Sequence, residues 1–165
     1  MIPDTFIPII KKLVNQCDHL GLVWAFTGSL NLAFWGFDLE PRDIDLETDR
    51  FSAEQFDRLF ADQAVWSLHL RESDTMESYF ARYDIDGVQA EVMGDCRYQL
   101  PDGGWVAQRP LEKCIRHIDW QDLSLPLLEL EDEQESCVLM GRLEKAERIR
   151  AWLENHTSPP GLSTR

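Results

Sequence analysis

The segment VWAFTGSLNLAFWGFDLEPRDIDLETD, from Val23 to Asp49, decides the fold. It begins with a short apolar run that predicts a buried central strand. The Thr27-Gly28-Ser29 turn then leads into a short apolar helix, and a polar loop follows. The segment ends in a second predicted strand, which carries Asp43 and Asp45. A strand, a helix and a second strand in this order predict an α/β domain.

The two aspartates of the second strand point to a metal site. Residues two apart in a strand project to the same face, so Asp43 and Asp45 lie together while Ile44 and Leu46 point into the core. Two close carboxylates repel each other unless a cation lies between them. Ligands that are all oxygen suit a hard divalent ion, Mg²⁺ first and Mn²⁺ second. The alternative is a solvent-facing strand edge, but aspartate is a poor strand former, which favours a functional role.

The turn before the helix predicts a phosphate site. Gly28 allows the backbone to approach a ligand closely. The N–H groups at the start of the helix and the Ser29 hydroxyl are suited to binding a phosphate. Alone, a Gly-Ser pair would indicate only a turn and a helix cap, but here it lies directly upstream of the acid pair. A phosphate site facing a metal site favours metal-assisted phosphoryl transfer from a nucleotide.

Gly28-Ser29 followed by Asp43-Ile44-Asp45-Leu46 resembles the motif of the DNA polymerase β-type nucleotidyltransferase superfamily. Thirteen residues separate Ser29 from Asp43, which is toward the long end of that pattern. The sequence Arg42-Asp43-Ile44-Asp45-Leu46 also resembles the small antitoxin-type and antibiotic-modifying members, in which a basic or polar residue often precedes the acid pair. The resemblance covers roughly residues 22–94, and the C-terminal third matches only loosely.

The resemblance implies a third carboxylate on a later strand. Glu91 is the first candidate, because it stands alone among apolar residues in Val88-Gln89-Ala90-Glu91-Val92-Met93. Asp95 is the reserve. The implied catalytic and metal-binding residues are Asp43, Asp45 and Glu91.

The resemblance also implies basic residues near the nucleotide phosphates. Arg42 is one candidate, although the local pattern favours a surface ion pair with Glu40 or Asp38. Lys145, on a later predicted helix, is the second candidate, although an exposed helix face is favoured there too. The implied nucleotide-binding residues are Gly28, Ser29, Arg42 and Lys145.

The whole chain predicts one domain of the α/β class. It has 165 residues, 44% of them hydrophobic, which is enough for a substantial core. We expect a nucleotidyltransferase-like mixed β-sheet of about five strands, with helices packed mainly on one side and a helical C-terminal extension. The domain would span residues 1–154, with a core at about 22–94, a helical part at about 110–154 and a flexible tail at 155–165.

Several local patterns add detail to this prediction. Asp86-Gly87 predicts a two-residue hairpin turn, and residues 101–104 predict a second hairpin. Ser52 is the expected N-cap of the helix after the acid-bearing strand. The C-terminal part reads as helices at 110–118, 127–140 and 143–153, and the acidic run Glu129 to Glu135 reads as a solvated face.

The overall charge restricts the partners. The formal charge of −14 argues against a polynucleotide substrate, which normally requires a basic face. The four scattered cysteines suit reduced thiols in a cytoplasmic protein. No apolar run is long enough to cross a membrane.

The predicted activity is metal-dependent transfer of a nucleoside monophosphate from a nucleoside triphosphate, ATP first, to a hydroxyl of a small molecule or protein, with release of pyrophosphate. The alternative is a catalytically inactive antitoxin-like module that binds a protein partner, since the negative charge would suit a basic toxin. A metal-dependent phosphohydrolase is a third possibility, but no histidine accompanies the acids.

Overall fold

The sheet forms around the strands that flank the Gly28 turn. The computed structural model describes residues 1–156. The helices are α1 (Phe6–His19), α2 (Gly28–Phe34), α3 (Arg50–Leu59), α4 (Leu130–Leu139) and α5 (Leu143–Asn155). The strands are β1 (Trp24–Thr27), β2 (Ile44–Thr48), β3 (Ala64–Glu72), β4 (Met76–Ile85), β5 (Val88–Gln99), β6 (Trp105–Ala107), β7 (Ile115–Trp120) and β8 (Leu123–Leu128).

The eight strands form one mixed sheet in the order β3-β4-β5-β2-β1-β8-β7, with β6 paired to β5. Strands β2 and β5 are parallel, as are β1 and β8, while β1 and β2 are antiparallel. The chain is thus an α/β protein with a mixed sheet and C-terminal helices. All four residues of β1 are buried, as expected for a central strand.

The apolar core covers the sheet face opposite the acid pair. Ile44 and Leu46 are fully buried and join one cluster with the apolar stripes of α1 and α3. The α1 stripe follows helical spacing, which is why this helix packs on the sheet. Its buried members are Phe6, Ile9, Ile10, Leu13, Val14 and Cys17. The acid pair is therefore left on the face that this core does not cover.

Strand β5 is joined to β4 by the predicted hairpin. Asp86 and Gly87 have φ angles of 52° and 84°, and positive φ at both central residues is characteristic of a type I′ turn. Farther along β5 a bulge occurs, because Glu77 pairs with Arg97 but Tyr79 pairs with Gly94. The second predicted hairpin is also present, as β6 pairs with β5.

The C-terminal part differs from the sequence prediction. The region predicted as a helix at 110–118 is a short 3-10 turn followed by β7. The helix predicted at 127–140 begins only at Leu130, since Leu127 and Leu128 belong to β8 and Glu129 is the N-cap. These two strands and β6 bring the sheet to eight strands instead of about five. The helix predicted at 143–153 is confirmed as α5.

Two smaller points concern chain ends and caps. Asp49, not Ser52, is the N-cap of α3, and its carboxylate accepts a hydrogen bond from the Ser52 N–H. The predicted tail at 155–165 lies mostly outside the described residues. Within residues 1–156, no helix is both long enough and apolar enough to cross a membrane.

Candidate active site

Gly28 and Asp45 are in close contact at the centre of the site. Gly28 follows β1 directly and has a φ of +68°. A Cβ atom at this position would lie 2.3 Å from Asp45 Oδ2. Glycine is therefore required here both for its backbone angle and for the space that the carboxylate fills.

Strand register brings the carboxylates together. Asp45 is directly opposite Thr27 on β1 and directly opposite Glu91 on β5. Neighbouring strands lie about 4.8 Å apart, so Asp45 and Glu91 project side by side from the same face. Asp43 lies at the bend just before β2. Asp45 and Glu91 therefore lie side by side on neighbouring strands, and Asp43 is near enough for its charge to act on Asp45.

The charge on Asp45 is disfavoured by its surroundings. Burial, followed by the charges of Asp43, Glu91 and Glu133, raises the pKa of Asp45 to about 7. Lys145 acts in the opposite direction, but more weakly. A cation bound between the carboxylates would remove this penalty, because it favours the charged form.

Glu91 is held in place by Arg82 on the neighbouring strand. The Arg82 Nε and Nη2 atoms lie 2.8 and 2.6 Å from Glu91 Oε1. The Gln89 side chain donates to the same oxygen at 3.2 Å. These donors all meet Oε1, and within residues 1–156 none of them donates to Oε2. Asp95, the reserve candidate, instead accepts a hydrogen bond from the Arg50 N–H and is exposed.

Glu133 on α4 links the Gly28 turn to α5. Its Oε2 atom accepts hydrogen bonds from the Thr27 hydroxyl at 2.8 Å, the Gly28 N–H at 3.1 Å and the Asn31 amide at 3.2 Å. Its Oε1 atom pairs with Lys145 Nζ at 2.8 Å. The Glu133 side chain is 5% exposed, so this network is buried.

Only some of the predicted nucleotide-binding residues border the cavity at the Gly28 turn. Lys145 borders the same cavity as Gly28 and Asp45, a space of about 80 Å³. Burial alone would lower the pKa of Lys145, but the Glu133 carboxylate outweighs that effect and the pKa is raised. Ser29 is half-buried at the start of α2, whereas Arg42 is exposed. The sequence predicted that the N–H groups at this turn bind a phosphate. The Gly28 N–H instead donates a hydrogen bond to Glu133.

The sequence did not identify Glu133 or Arg82 as part of the site. The prediction that the whole Glu129 to Glu135 run is solvated is wrong, because Asp132 and Glu133 are buried. Their neighbour Glu131 is exposed. One signal was present: Glu133 lies three residues after Leu130 and four before Cys137, both buried, and this spacing places all three on one helix face.

The same sheet face carries a further acid, Glu47. It is buried, and this burial, with the charges of Glu133 and Asp132 added, raises the pKa of Glu47 to about 8. The raised pKa means that the surroundings of Glu47 disfavour a negative charge there, next to the acid pair.

Without substrate, the carboxylates of the site supply only some of the ligands that a divalent cation needs. Within residues 1–156, no three acidic, histidine or cysteine side chains form a ready metal site. Two nearby basic groups are paired with other acids, Arg82 with Glu91 and Lys145 with Glu133. Among residues 1–156, neither Asp43 nor Asp45 takes part in an ion pair, so both carboxylates can hold a cation. Mg²⁺ is commonly bound through one or two carboxylates plus the phosphates of its substrate. The acid pair fits that arrangement.

Comparisons with known proteins identify the family of the chain. The model of the Aminoglycoside-2''-adenylyltransferase family matches residues 9–150. A crystal structure of a candidate nucleotidyltransferase from Thermotoga maritima is similar with a TM-score of 0.81 and 32% identity, over 94% of this chain and 97% of that chain. No curated protein has a significant sequence match to the chain.

Two more distant structures share the fold. The lincosamide antibiotic adenylyltransferase LnuA, with lincomycin bound, has a TM-score of 0.53 and 12% identity, over 90% of this chain and 98% of that chain. ANT(2'')-Ia in complex with adenylyl-2''-tobramycin has a TM-score of 0.51 and 13% identity, over 92% and 98%. The chain belongs to the Aminoglycoside-2''-adenylyltransferase family and is a nucleotidyltransferase.

Proposed function

We propose that the protein transfers a nucleoside monophosphate, with ATP as the first candidate donor, to a hydroxyl group of a small molecule. The observation that carries this proposal is the contact of Gly28 with Asp45, beside Glu91 in register on the next strand. The small-molecule acceptor is supported by LnuA and ANT(2'')-Ia, whose structures contain an antibiotic or an adenylylated antibiotic. The family membership favours this reaction over a purely regulatory protein-binding role.

The donor phosphates would lie at the Gly28 turn. Ser29 offers its hydroxyl and its backbone N–H at the start of α2, where helix N–H groups lack partners within the helix. Lys145, which borders the same cavity and pairs with Glu133, would place its ammonium group near the phosphates. Glu133 positions Lys145 and the turn relative to each other through its hydrogen bonds.

Mg²⁺ held by Asp43 and Asp45 would neutralise phosphate charge and stabilise the pyrophosphate leaving group. In the reaction, the acceptor oxygen attacks the α-phosphorus, the bond from that phosphorus to the bridging oxygen breaks, and pyrophosphate leaves. The proton of the acceptor hydroxyl moves to Glu91 Oε2, the oxygen that Arg82 does not hold.

A thermal-shift experiment with Asp43→Asn tests the donor site. Wild type and variant are compared with ATP, GTP, CTP and UTP, each with and without Mg²⁺. A nucleotide at about a hundred times its dissociation constant adds about 2.7 kcal/mol of stability. For a domain of this size, that raises Tm by roughly 5–10 °C.

We expect a Mg²⁺-dependent shift in wild type that Asp43→Asn loses, together with a loss of about 10²–10³-fold in pyrophosphate release. Asp38→Asn is the matched control, because Asp38 is an exposed acid shortly before the site. A variant Asp43→Asn with full activity, or a wild type that binds no nucleotide, would contradict the proposal.

A further inference from the structure

A second cavity lies beside Glu91, on the side away from the Gly28 turn. It has a volume of about 370 Å³, within the range of small-molecule sites. Across the sheet, Gly28 follows β1, Asp45 is on β2, Glu91 is on β5 and the cavity continues over β4. With the nucleotide phosphates at Gly28, this cavity is where a hydroxyl acceptor would meet Glu91. The inference that follows rests on the proposed function.

The floor of the cavity continues the acid-bearing face of the sheet. Arg82 on β4 is paired in register with Glu91, and Phe80 is paired with Met93. Ser78, Phe80 and Arg82 alternate along β4 and therefore share one face, and all three border the cavity. A molecule bound on this floor would lie next to the Glu91 carboxylate.

The charge of the cavity is opposite to that of the whole protein. Three arginines border it, namely Arg71, Arg82 and Arg142, and Glu91 is its one acidic lining residue. The protein as a whole carries a formal charge of −14. Arg82 is paired with Glu91. The two remaining guanidinium groups give the cavity a net positive charge.

Arg71 and Arg142 are available to a ligand. Among residues 1–156, neither takes part in the ion pairs of the structure. The Arg71 guanidinium stacks over the Phe80 ring at 4.6 Å from its centroid. Stacking on an aromatic face orients a guanidinium and leaves its N–H groups at the edge free to bind an anion in a fork geometry.

The two arginines do not have the same neighbours. Arg142 borders both the Gly28 cavity and the second cavity, so it is in reach of the nucleotide phosphates as well. Arg71 borders only the second cavity. Binding of an anion at Arg71 therefore distinguishes an acceptor site from a triphosphate site.

We infer that the acceptor carries an anionic group, a phosphate or a carboxylate, which Arg71 binds in this cavity with help from Arg142. A polycationic acceptor such as an aminoglycoside would face like charges there, and such a juxtaposition is unfavourable. The family name would then not describe the acceptor of this chain. Hydroxyls of Ser73, Thr75 and Ser78 border the same cavity and can bind uncharged parts of the molecule.

The test measures how fast each arginine is modified by phenylglyoxal, with peptide mapping by mass spectrometry. The wild-type protein is treated in chloride, inorganic phosphate or benzoate at equal ionic strength, and separately with tobramycin. Arg148 is the matched control, because it is exposed on α5 and does not border either cavity. A further arm adds a non-hydrolysable ATP analogue with Mg²⁺.

We expect phosphate or benzoate to slow modification of Arg71 about threefold at twice the dissociation constant of the anion, by mass action. Arg148 should be unaffected, and tobramycin should give no protection. Protection by phosphate alone would indicate a phosphorylated acceptor, and protection by benzoate alone a carboxylate. No protection by either anion, equal protection of Arg148, or protection by tobramycin would overturn the inference.

The nucleotide arm separates this inference from the proposed function. If the ATP analogue alone protects Arg71, the arginine binds the triphosphate and the acceptor assignment is wrong. If the anions protect Arg71 but the thermal-shift experiment detects no nucleotide, the anion site stands and the transferase proposal fails. In Arg71→Gln, we expect the nucleotide shift to be retained, while benzoate no longer slows modification of Arg142. An unchanged protection of Arg142 by benzoate would contradict a role for Arg71 in binding the anion.

Discussion

Gly28 is the residue whose role is most sharply defined by the structure. A methyl group there would have to displace the Asp45 carboxylate, because the Cβ would lie 2.3 Å from Oδ2. We predict that Gly28→Ala lowers pyrophosphate release by about 100-fold, since small misplacements of a reacting group have effects of that size. Steady-state kinetics with ATP and Mg²⁺ measure the loss.

Gly21 provides the control for backbone strain. Its φ of +63° is close to the +68° of Gly28, but a Cβ there would meet nothing within 4 Å. Gly21→Ala should therefore cost about 1–2 kcal/mol of stability, as an alanine in the left-handed region does, without lowering activity. If both variants lose activity equally, strain and not the Asp45 contact is responsible.

At the residue scale, the sequence predicted the part of the site that is encoded locally. Gly28, Asp43 and Asp45 are close in sequence, and Glu91 stands out as an acid among apolar residues of a strand. Glu133 is different, because it reaches the Gly28 turn from more than a hundred residues away. Its burial depends on how α4 docks, and an acidic run gives no local sign of which member is buried.

Among the helices, α4 connects the sheet to the C-terminal part through Glu133. We predict that Glu133→Ala lowers the free energy of unfolding by about 3 kcal/mol, because it leaves Lys145 and several donors without their partner. This is at the low end for a buried ion pair, since the Lys145 side chain is 27% exposed. Urea denaturation with an unchanged m-value measures the effect.

Glu135→Ala is the matched control on the same helix. Glu135 is exposed, so its loss should change the free energy of unfolding by less than about 0.5 kcal/mol. A Glu133→Ala protein as stable as Glu135→Ala would mean that the Glu133 network does not stabilise the docking of α4.

Strands β7 and β8 show where sequence patterns fail at the scale of elements. In β7 only Ile118 is buried, so no alternation marks it as a strand. In β8, Pro126 interrupts the apolar run, and proline usually argues against a strand within a sheet. The run then continues directly into α4, which made a helix appear to begin early. By contrast, the Asp86-Gly87 turn was predictable because its backbone angles select those residue types.

The four cysteines report on the stability of the whole molecule. All are buried and free, and they lie on α1, β5, the turn before β7 and α4. Burial, with a smaller effect of Asp18, raises the pKa of Cys17 to about 12, and burial likewise raises the pKa of Cys114 to about 11. We predict that no thiol reacts with Ellman's reagent at pH 8 before the protein unfolds, whereas all four react in concentrated urea. A single fast thiol would identify an element that opens locally.

Because the net charge is −14, added salt can stabilise the protein in two ways, by general screening and by specific binding of Mg²⁺. Screening of self-repulsion should raise Tm in NaCl, because a high net charge destabilises the compact state. At equal ionic strength, MgCl₂ should raise Tm further if the acid pair binds the ion. The additional rise should disappear in Asp43→Asn and remain in Asp38→Asn, since both variants remove one negative charge but only the first removes a metal ligand. Equal loss in both variants would mean that Mg²⁺ acts through general charge, and the burial of Asp45 would then need an explanation other than metal binding.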